Sequence, residues 1–167
     1  MQWQDVIDNP YLKDLPFKIE LNRWGRIEMS PASNRHALLQ SRLAQWIRAA
    51  MGNGETLTEA SIQTSDGVRV PDVVWASDAF LAQHDFETPF SQAPDICVEV
   101  ISPANSRLEM LDKTRLYLEA GATEVWLVSD TGKLEVEDAG GAREDSRLAP
   151  GIREILQRQC RRCDSGA

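Results

Sequence analysis

Three apolar runs of strand length, VRVPDVVWAS, APDICVEVIS and TEVWLVSD, most strongly constrain what this chain can fold into. They are almost continuously apolar, a pattern typical of strands that are covered on both faces. Amphipathic segments that can supply this cover lie at residues 34–52 and 105–121. The sequence therefore predicts an α/β fold in which helices flank a mixed β-sheet.

The other segments are expected to complete one domain over residues 1–167, a length that favours a single domain. Residues 1–15 are expected to form an N-terminal arm or a short helix. The run FKIELNRWGRIEMSP predicts a β-hairpin that turns at Asn22 to Gly25. ETLTEASIQTS alternates as a half-exposed strand does, and KLEVEDA resembles a last strand. Residues 156–167 are expected to be a flexible tail.

The composition bears on location and partners. The chain has no apolar run of the roughly 18 residues that a membrane span needs, and its first residues resemble no signal peptide, so we expect a cytoplasmic protein without membrane contact.

Its three cysteines are an odd number, which argues against a disulfide framework. Cys160 and Cys163 form a lone CxxC without the four ligands of a structural zinc site. The net charge of −8 opposes non-specific attraction to phosphates, although acidic metal ligands would contribute to it.

Two carboxylates stand in apolar surroundings. Asp72 lies between Pro71 and Val73, and Glu99 lies between Val98 and Val100. Because a buried, unpaired carboxylate costs several kcal/mol, each needs a cation or a proton. On adjacent strands the two could share one divalent ion such as Mg²⁺, which prefers oxygen ligands.

A second Pro-Asp pair, Pro94 and Asp95, competes for this assignment. Asp95 precedes Glu99 by four residues on one strand, which separates their backbones by about 13 Å. Asp72 comes from a different strand, so it is the better partner. The structural alternative makes Asp72 a turn or strand-start residue after Pro71 and pairs Glu99 with an arginine such as Arg69.

Lys113 is the third candidate. On its helix it shares a row with Met110 and Tyr117, away from the charged stripe, so it is expected to point toward the sheet. There it can stabilise negative charge on a phosphate or orient water. Alternatively, its stem covers apolar surface. Tyr117 is more typical of a core residue with a bonded hydroxyl.

Four further residues are secondary candidates. His36 lies in the first turn of a helix, on its apolar face. Glu20 and Glu28 on the hairpin are extra acidic ligands or plain surface charges. Ser102 follows the Glu99 strand, where it can bond a carboxylate or cap the loop before Pro103.

Taken in order, MSPASNRH, VPDVV, APDICVEVISPA, LDKTRLYLEAG and TEVWLVSD resemble the Uma-two family of putative endonucleases, of the restriction-endonuclease-like PD-(D/E)XK superfamily. The similarity covers roughly residues 17–155, and the ordered set is more specific than any one motif.

This resemblance implies a restriction-endonuclease-like fold and hydrolysis of DNA phosphodiesters with Mg²⁺ or Mn²⁺. It implies Asp72 and Glu99 as metal ligands and catalytic residues. The superfamily lysine, two residues after the glutamate, is replaced by Ile101, and the resemblance moves this role to Lys113, with Tyr117 matching one turn later.

Three hypotheses follow. The first is a metal-dependent DNA endonuclease that works as a homodimer, so that two sites cut two strands. The second is a catalytically silent nuclease-like fold that binds nucleic acid or protein, with the carboxylates serving structure alone; the acidic net charge favours it. A third is a metal hydrolase that acts on RNA or another phosphoester.

Overall fold

The computed structural model describes residues 1–31, 33–103 and 105–164, with side chains up to Cys160. Within these residues the helices are α1 (Trp3–Asp8), α2 (Asn34–Met51), α3 (Asp78–His84), α4 (Arg107–Glu119) and α5 (Ile152–Asp164). The strands are β1 (Phe17–Leu21), β2 (Ile27–Pro31), β3 (Glu55–Thr58), β4 (Ile62–Thr64), β5 (Gly67–Arg69), β6 (Val73–Ala76), β7 (Ile96–Ile101), β8 (Glu124–Ser129), β9 (Leu134–Asp138) and β10 (Gly141–Arg143).

The strands form two sheets where the sequence predicted one. Six strands pair in the order β10-β9-β8-β7-β6-β3, with β7 and β8 parallel and the other neighbours antiparallel. This is the expected mixed sheet. The predicted hairpin β1–β2 is present, but it pairs through β1 with β5 and so belongs to a second sheet of order β2-β1-β5-β4.

The second sheet exists because two runs that were predicted to be single strands each break into two. ETLTEASIQTS breaks at Glu59, which has a positive φ of 55°. VRVPDVVWAS breaks at Val70 to Asp72, where Pro71 has no N–H to donate to a strand ladder. The amide of Glu59 donates to the carbonyl of Asp72 at 3.3 Å, so the two corners lie side by side.

Helices cover both faces of the six-stranded sheet, as its apolar strands require. One cluster packs α2 and α5 on the sheet through Leu43, Ile47, Ile152, Leu156 and Trp126. The other packs Tyr117 of α4 against Val74, Cys97 and Val125 on the opposite face. Glu99 alternates with its neighbours in β7 so that it shares the face of Cys97, beneath α4.

Helices lie near both ends of the described residues, and the first of them, α1, is the short helix that was expected as one alternative for residues 1–15. Within the N-terminal arm, α1 packs Trp3 and Val6 on the second sheet. The expected flexible tail from residue 156 is wrong up to Asp164, because α5 continues to that residue and buries Leu156 and Cys160. An apolar residue every fourth position gives this helix a face that the sheet can cover. The side chain of Cys163 lies outside the described residues.

Serine side chains cap the N-terminal ends of α2 and α4. Ser33 accepts a hydrogen bond from the amide of His36 at the start of α2, and Ser106 accepts one from Glu109 at the start of α4. In the part of the chain that the structure describes, no helix combines the length and apolar character needed to traverse a bilayer.

Candidate active site

A cleft of about 340 Å³ opens where the two sheets meet the N-terminal ends of α2 and α4. Its wall includes Lys18, His36, Asp72, Glu99, Ser102 and Lys113. Apart from Lys18, these are all residues that the sequence singled out. The cleft therefore brings together candidates from four separate segments of the chain, and Lys18 comes from a fifth.

Asp72 lies at the corner between β5 and β6, immediately before β6, rather than within a strand as expected. Its Oδ2 accepts the amide N–H of Val100 at 2.7 Å, and the side chain of Gln40 donates to its carbonyl oxygen at 3.0 Å. Its Oδ1 lies 2.7 Å from Lys18 Nζ and 3.2 Å from His36 Nε2. Although burial favours the neutral acid, His36 and Lys18 hold the pKa of Asp72 well below its usual range.

Glu99 is almost fully buried, at 2% exposure. Tyr117 donates its hydroxyl to Oε1 at 2.6 Å, and Lys113 Nζ lies 3.2 Å from the same oxygen. Burial raises the pKa of Glu99, although Lys113 and Lys18 act in the opposite direction. The hydrogen bonds of Tyr117 and Lys113 thus fix the orientation of this carboxyl group. Additional positive charge nearby would further stabilise its ionised form.

Lys113 joins Glu99 to Glu20. Its Nζ lies 3.0 Å from Oε1 of Glu20, whose same oxygen accepts the amide N–H of Val70 at 2.9 Å. Burial opposes the charge of Lys113, yet Glu99 and Glu20 together raise its pKa. For Glu20, burial is likewise outweighed, here by Lys113 and Lys18, so its pKa is lowered. Glu20 is therefore buried and not a surface residue. It belongs to a charged cluster whose members are Lys18, Glu20, Asp72, Glu99 and Lys113.

Lys18 was not predicted from the sequence. Its ammonium group lies between Asp72 Oδ1, at 2.7 Å, and Glu99 Oε2, at 3.2 Å. Burial by itself lowers the pKa of a lysine. Here the nearby carboxylates of Glu99, Asp72 and Glu20 outweigh burial and strongly raise the pKa of Lys18. A signal was present, because Lys18 and Glu20 are two residues apart on one strand and therefore share a face.

Two of the secondary candidates, Glu28 and Ser102, do not belong to this charged cluster. Glu28 lies at the surface, where its carboxylate accepts from Asn22 and Arg69. Ser102 lines the cleft and, among the described residues, bonds the side chain of Asn105, a contact across the following loop. The alternative pairing of Glu99 with Arg69 is wrong, because the ion pairs of that arginine are with Glu20, Glu28 and Asp66.

The competing Asp95 is placed away from the cleft. Its Oδ2 accepts the amide N–H of Ser77 at 2.8 Å, at the opposite end of β7 from Glu99. This carboxylate caps the turn that leads into α3. It therefore has a structural contact of its own, and it does not line the cleft.

The donor chemistry fits a hard divalent cation. Asp72 Oδ1 and Glu99 Oε2 both face one point, the position of the Lys18 ammonium. Mg²⁺ is commonly bound by one or two carboxylates together with substrate phosphates, at about 2.0–2.1 Å. Among the residues that the structure describes, no group of three or more His, Cys, Asp or Glu side chains could hold a metal by itself. The arrangement fits Mg²⁺ or Mn²⁺ better than a closed structural zinc site.

Comparisons with known proteins agree with this architecture. Residues 10–148 match the model of the Uma2 family, which is described as putative restriction endonuclease. The crystal structure of a putative nuclease belonging to DUF820 from Anabaena variabilis is similar in fold, with a TM-score of 0.70 at 17% sequence identity. That similarity covers 96% of this chain and 99% of the other. No match was found among curated proteins.

Proposed function

Since the chain belongs to the Uma2 family of putative restriction endonucleases, we propose that it is a metal-dependent nuclease that hydrolyses DNA phosphodiester bonds. We assign it to the PD-(D/E)XK type, with Asp72 and Glu99 as metal ligands and Lys113 as the assisting lysine. The observation that carries the proposal is the convergence of Asp72 Oδ1 and Glu99 Oε2 on one cation position beside the cleft.

In this proposal Asp72 and Glu99 hold Mg²⁺ or Mn²⁺ through the oxygens that face Lys18. When bound, the ion supplies Lewis-acid activation of the attacking water and neutralises charge on the scissile phosphate. The amide of Val100 fixes Asp72, and Tyr117 fixes Glu99, so both carboxylates are oriented before substrate arrives.

Lys113 and His36 assist through different carboxylates, Lys113 through Glu99 and His36 through Asp72. Lys113 is held between Glu20 and Glu99, where it adds positive charge at the wall of the cleft. This charge offsets the negative charge that develops on the phosphate during cleavage. His36 contacts Oδ1 of Asp72 and helps to fix the oxygen that is offered to the ion.

DNA is the substrate that we propose, and a homodimer would present two such clefts to its two strands. The location that we propose is the cytoplasm.

A plasmid-nicking assay with Mg²⁺ or Mn²⁺ tests the activity. The wild type is expected to convert supercoiled DNA to nicked or linear forms, and Asp72→Asn is expected to lose this activity. Asp95→Asn is the matched control, because it changes the other Pro-Asp pair, outside the cleft, and should cleave as the wild type does. Equal cleavage by Asp72→Asn and the wild type would refute the assignment.

One observation favours a second candidate function, a silent nuclease-like module that binds nucleic acid or protein. Lys18 and Lys113 already pair with Glu20, Asp72 and Glu99, so these carboxylates have counter-charges without a metal. Absence of cleavage across metals and salts, together with absence of metal binding, would support the module.

A further inference from the structure

In both Asp72 and Glu99, the two carboxylate oxygens have different hydrogen-bond donors. Asp72 Oδ2 is held by the amide of Val100, and Glu99 Oε1 is held by Tyr117 and Lys113. The remaining oxygens, Asp72 Oδ1 and Glu99 Oε2, both contact the ammonium of Lys18, and His36 also lies 3.2 Å from Asp72 Oδ1. The oxygens proposed to bind the ion are thus the same ones that Lys18 neutralises.

An ammonium group and a divalent ion cannot share this position. Lys18 Nζ lies 2.7 Å and 3.2 Å from oxygens that an ion would hold at about 2.0–2.1 Å. Like charges so close in a buried site repel strongly, since the surroundings screen them poorly. Binding of an ion therefore requires the ammonium to withdraw.

Lys18 can withdraw, and Lys113 need not. Lys18 has a flexible stem, extends from β1 of the second sheet and lines the cleft, which offers space for its head group. Lys113 contacts the far oxygen of Glu99 and is also held by Glu20, so it can remain in place.

We propose that Lys18 is the resident counter-ion of the metal-free site, which a divalent cation must displace from Asp72 and Glu99. This inference rests on the proposed function, because it takes those two residues as metal ligands. It assigns to Lys18 a competitive role in metal binding that differs from the assisting role of Lys113. The ion pairs of Lys18 therefore stabilise the protein without metal, and they weaken its affinity for the metal ion.

Calorimetric titration of Mn²⁺ into the full chain tests the proposal. Lys18→Met removes the competing charge and should bind Mn²⁺ about ten- to hundredfold more tightly than the wild type, because the charged hydrogen bonds of Lys18 to Asp72 and Glu99 no longer have to be broken. Lys18→Arg keeps the charge and should bind no more tightly than the wild type. Lys133→Met is the control for net charge, because that lysine is exposed on the β8–β9 turn, and it should bind as the wild type does.

The outcomes separate the two claims. If the wild type binds Mn²⁺ and Lys18→Met binds it equally or more weakly, the counter-ion role is overturned and the proposed function stands. If neither protein binds Mn²⁺, both are overturned. Should Lys18→Met be destabilised without metal, thermal unfolding with and without Mn²⁺ decides the matter, because an ion that binds the folded protein raises its Tm. A larger Mn²⁺-dependent rise in Tm than in the wild type supports the proposal, and an equal or smaller rise overturns it.

Discussion

The amide of Val100 donates a 2.7 Å hydrogen bond to the Asp72 carboxylate, so an acid at the corner of one strand is fixed to the backbone beside Glu99. This contact crosses from the β5–β6 corner to β7. It turns the other oxygen of Asp72 toward Lys18 and the cleft. The orientation of the carboxylate pair therefore depends on backbone geometry as much as on charge.

Tyr117→Phe should destabilise the protein. The change removes the 2.6 Å hydrogen bond to buried Glu99 without altering the apolar ring. Because hydrogen bonds to charged groups contribute about 1.5–3 kcal/mol, the free energy of unfolding should fall by about that amount. Urea denaturation measures it, with Tyr11→Phe as an exposed control that should not change. Equal stability of Tyr117→Phe and the wild type would show that the hydroxyl does not support Glu99.

Glu20→Gln should lower both stability and DNA cleavage. The amide oxygen can still accept from Val70, but the 3.0 Å ion pair with Lys113 is lost. We expect a stability loss of about 1–3 kcal/mol and weaker cleavage, since Lys113 is then held by Glu99 alone. Unfolding and nicking assays check this.

Glu28→Gln is the matched control for Glu20→Gln, because Glu28 lies on the same hairpin but points outside the cleft. Its cleavage activity should be that of the wild type. A greater loss of activity in Glu28→Gln than in Glu20→Gln would reverse the assignment of these two acids.

Acid should unfold the wild type partly through Asp72 and Glu20. Their pKa values are lowered in the fold, so each contributes stability above its unfolded pKa, near 4, and loses it as pH falls through the folded value. Glu99 acts in the opposite sense, because its pKa is raised. In a series of urea titrations from about pH 6 to pH 2, Asp72→Asn should therefore show a shallower loss of stability than the wild type. A parallel pH profile would contradict the lowered pKa of Asp72.

Gly67→Ala should loosen the sheet that carries Lys18 and Glu20. Gly67 has a φ of +87°, and an added Cβ would lie 2.1 Å from the carbonyl oxygen of Leu21 in β1. Gly52, with a φ of +72° and open space around it, provides the control. Gly52→Ala should cost about 1–3 kcal/mol from backbone strain alone, and Gly67→Ala should cost more. Thermal unfolding compares them, and equal losses would show that the contact with β1 is unimportant.

The local part of the site could be predicted from the sequence. Strand alternation predicts that Glu99 shares a face with Cys97, and helical spacing predicts that Lys113 and Tyr117 point inward, because both patterns depend only on the geometry of one element. The structure has these side chains on the expected faces. The buried apolar runs likewise indicated a sheet with cover on both sides.

The part contributed by the second sheet could not be predicted in the same way. Lys18 reaches the cleft, and Glu20 reaches Lys113, only because β1 pairs with β5 after the break at Pro71. The continuous apolar run across that break resembles one strand, and the pairing that follows is non-local. The C-terminal helix was missed for a related reason: its apolar positions are sparse in a basic sequence and matter only against the sheet.

Binding of Mn²⁺ to the wild type, Asp72→Asn and Glu99→Gln, measured by calorimetry with Asp95→Asn as control, tests the central claim most directly. We predict one ion per chain in the wild type and in Asp95→Asn, and affinity at least about tenfold weaker in each of the other two variants, since each loses a charged ligand. A wild type that binds no ion, or Asp72→Asn and Glu99→Gln variants that bind as tightly as the wild type, would contradict a shared metal site.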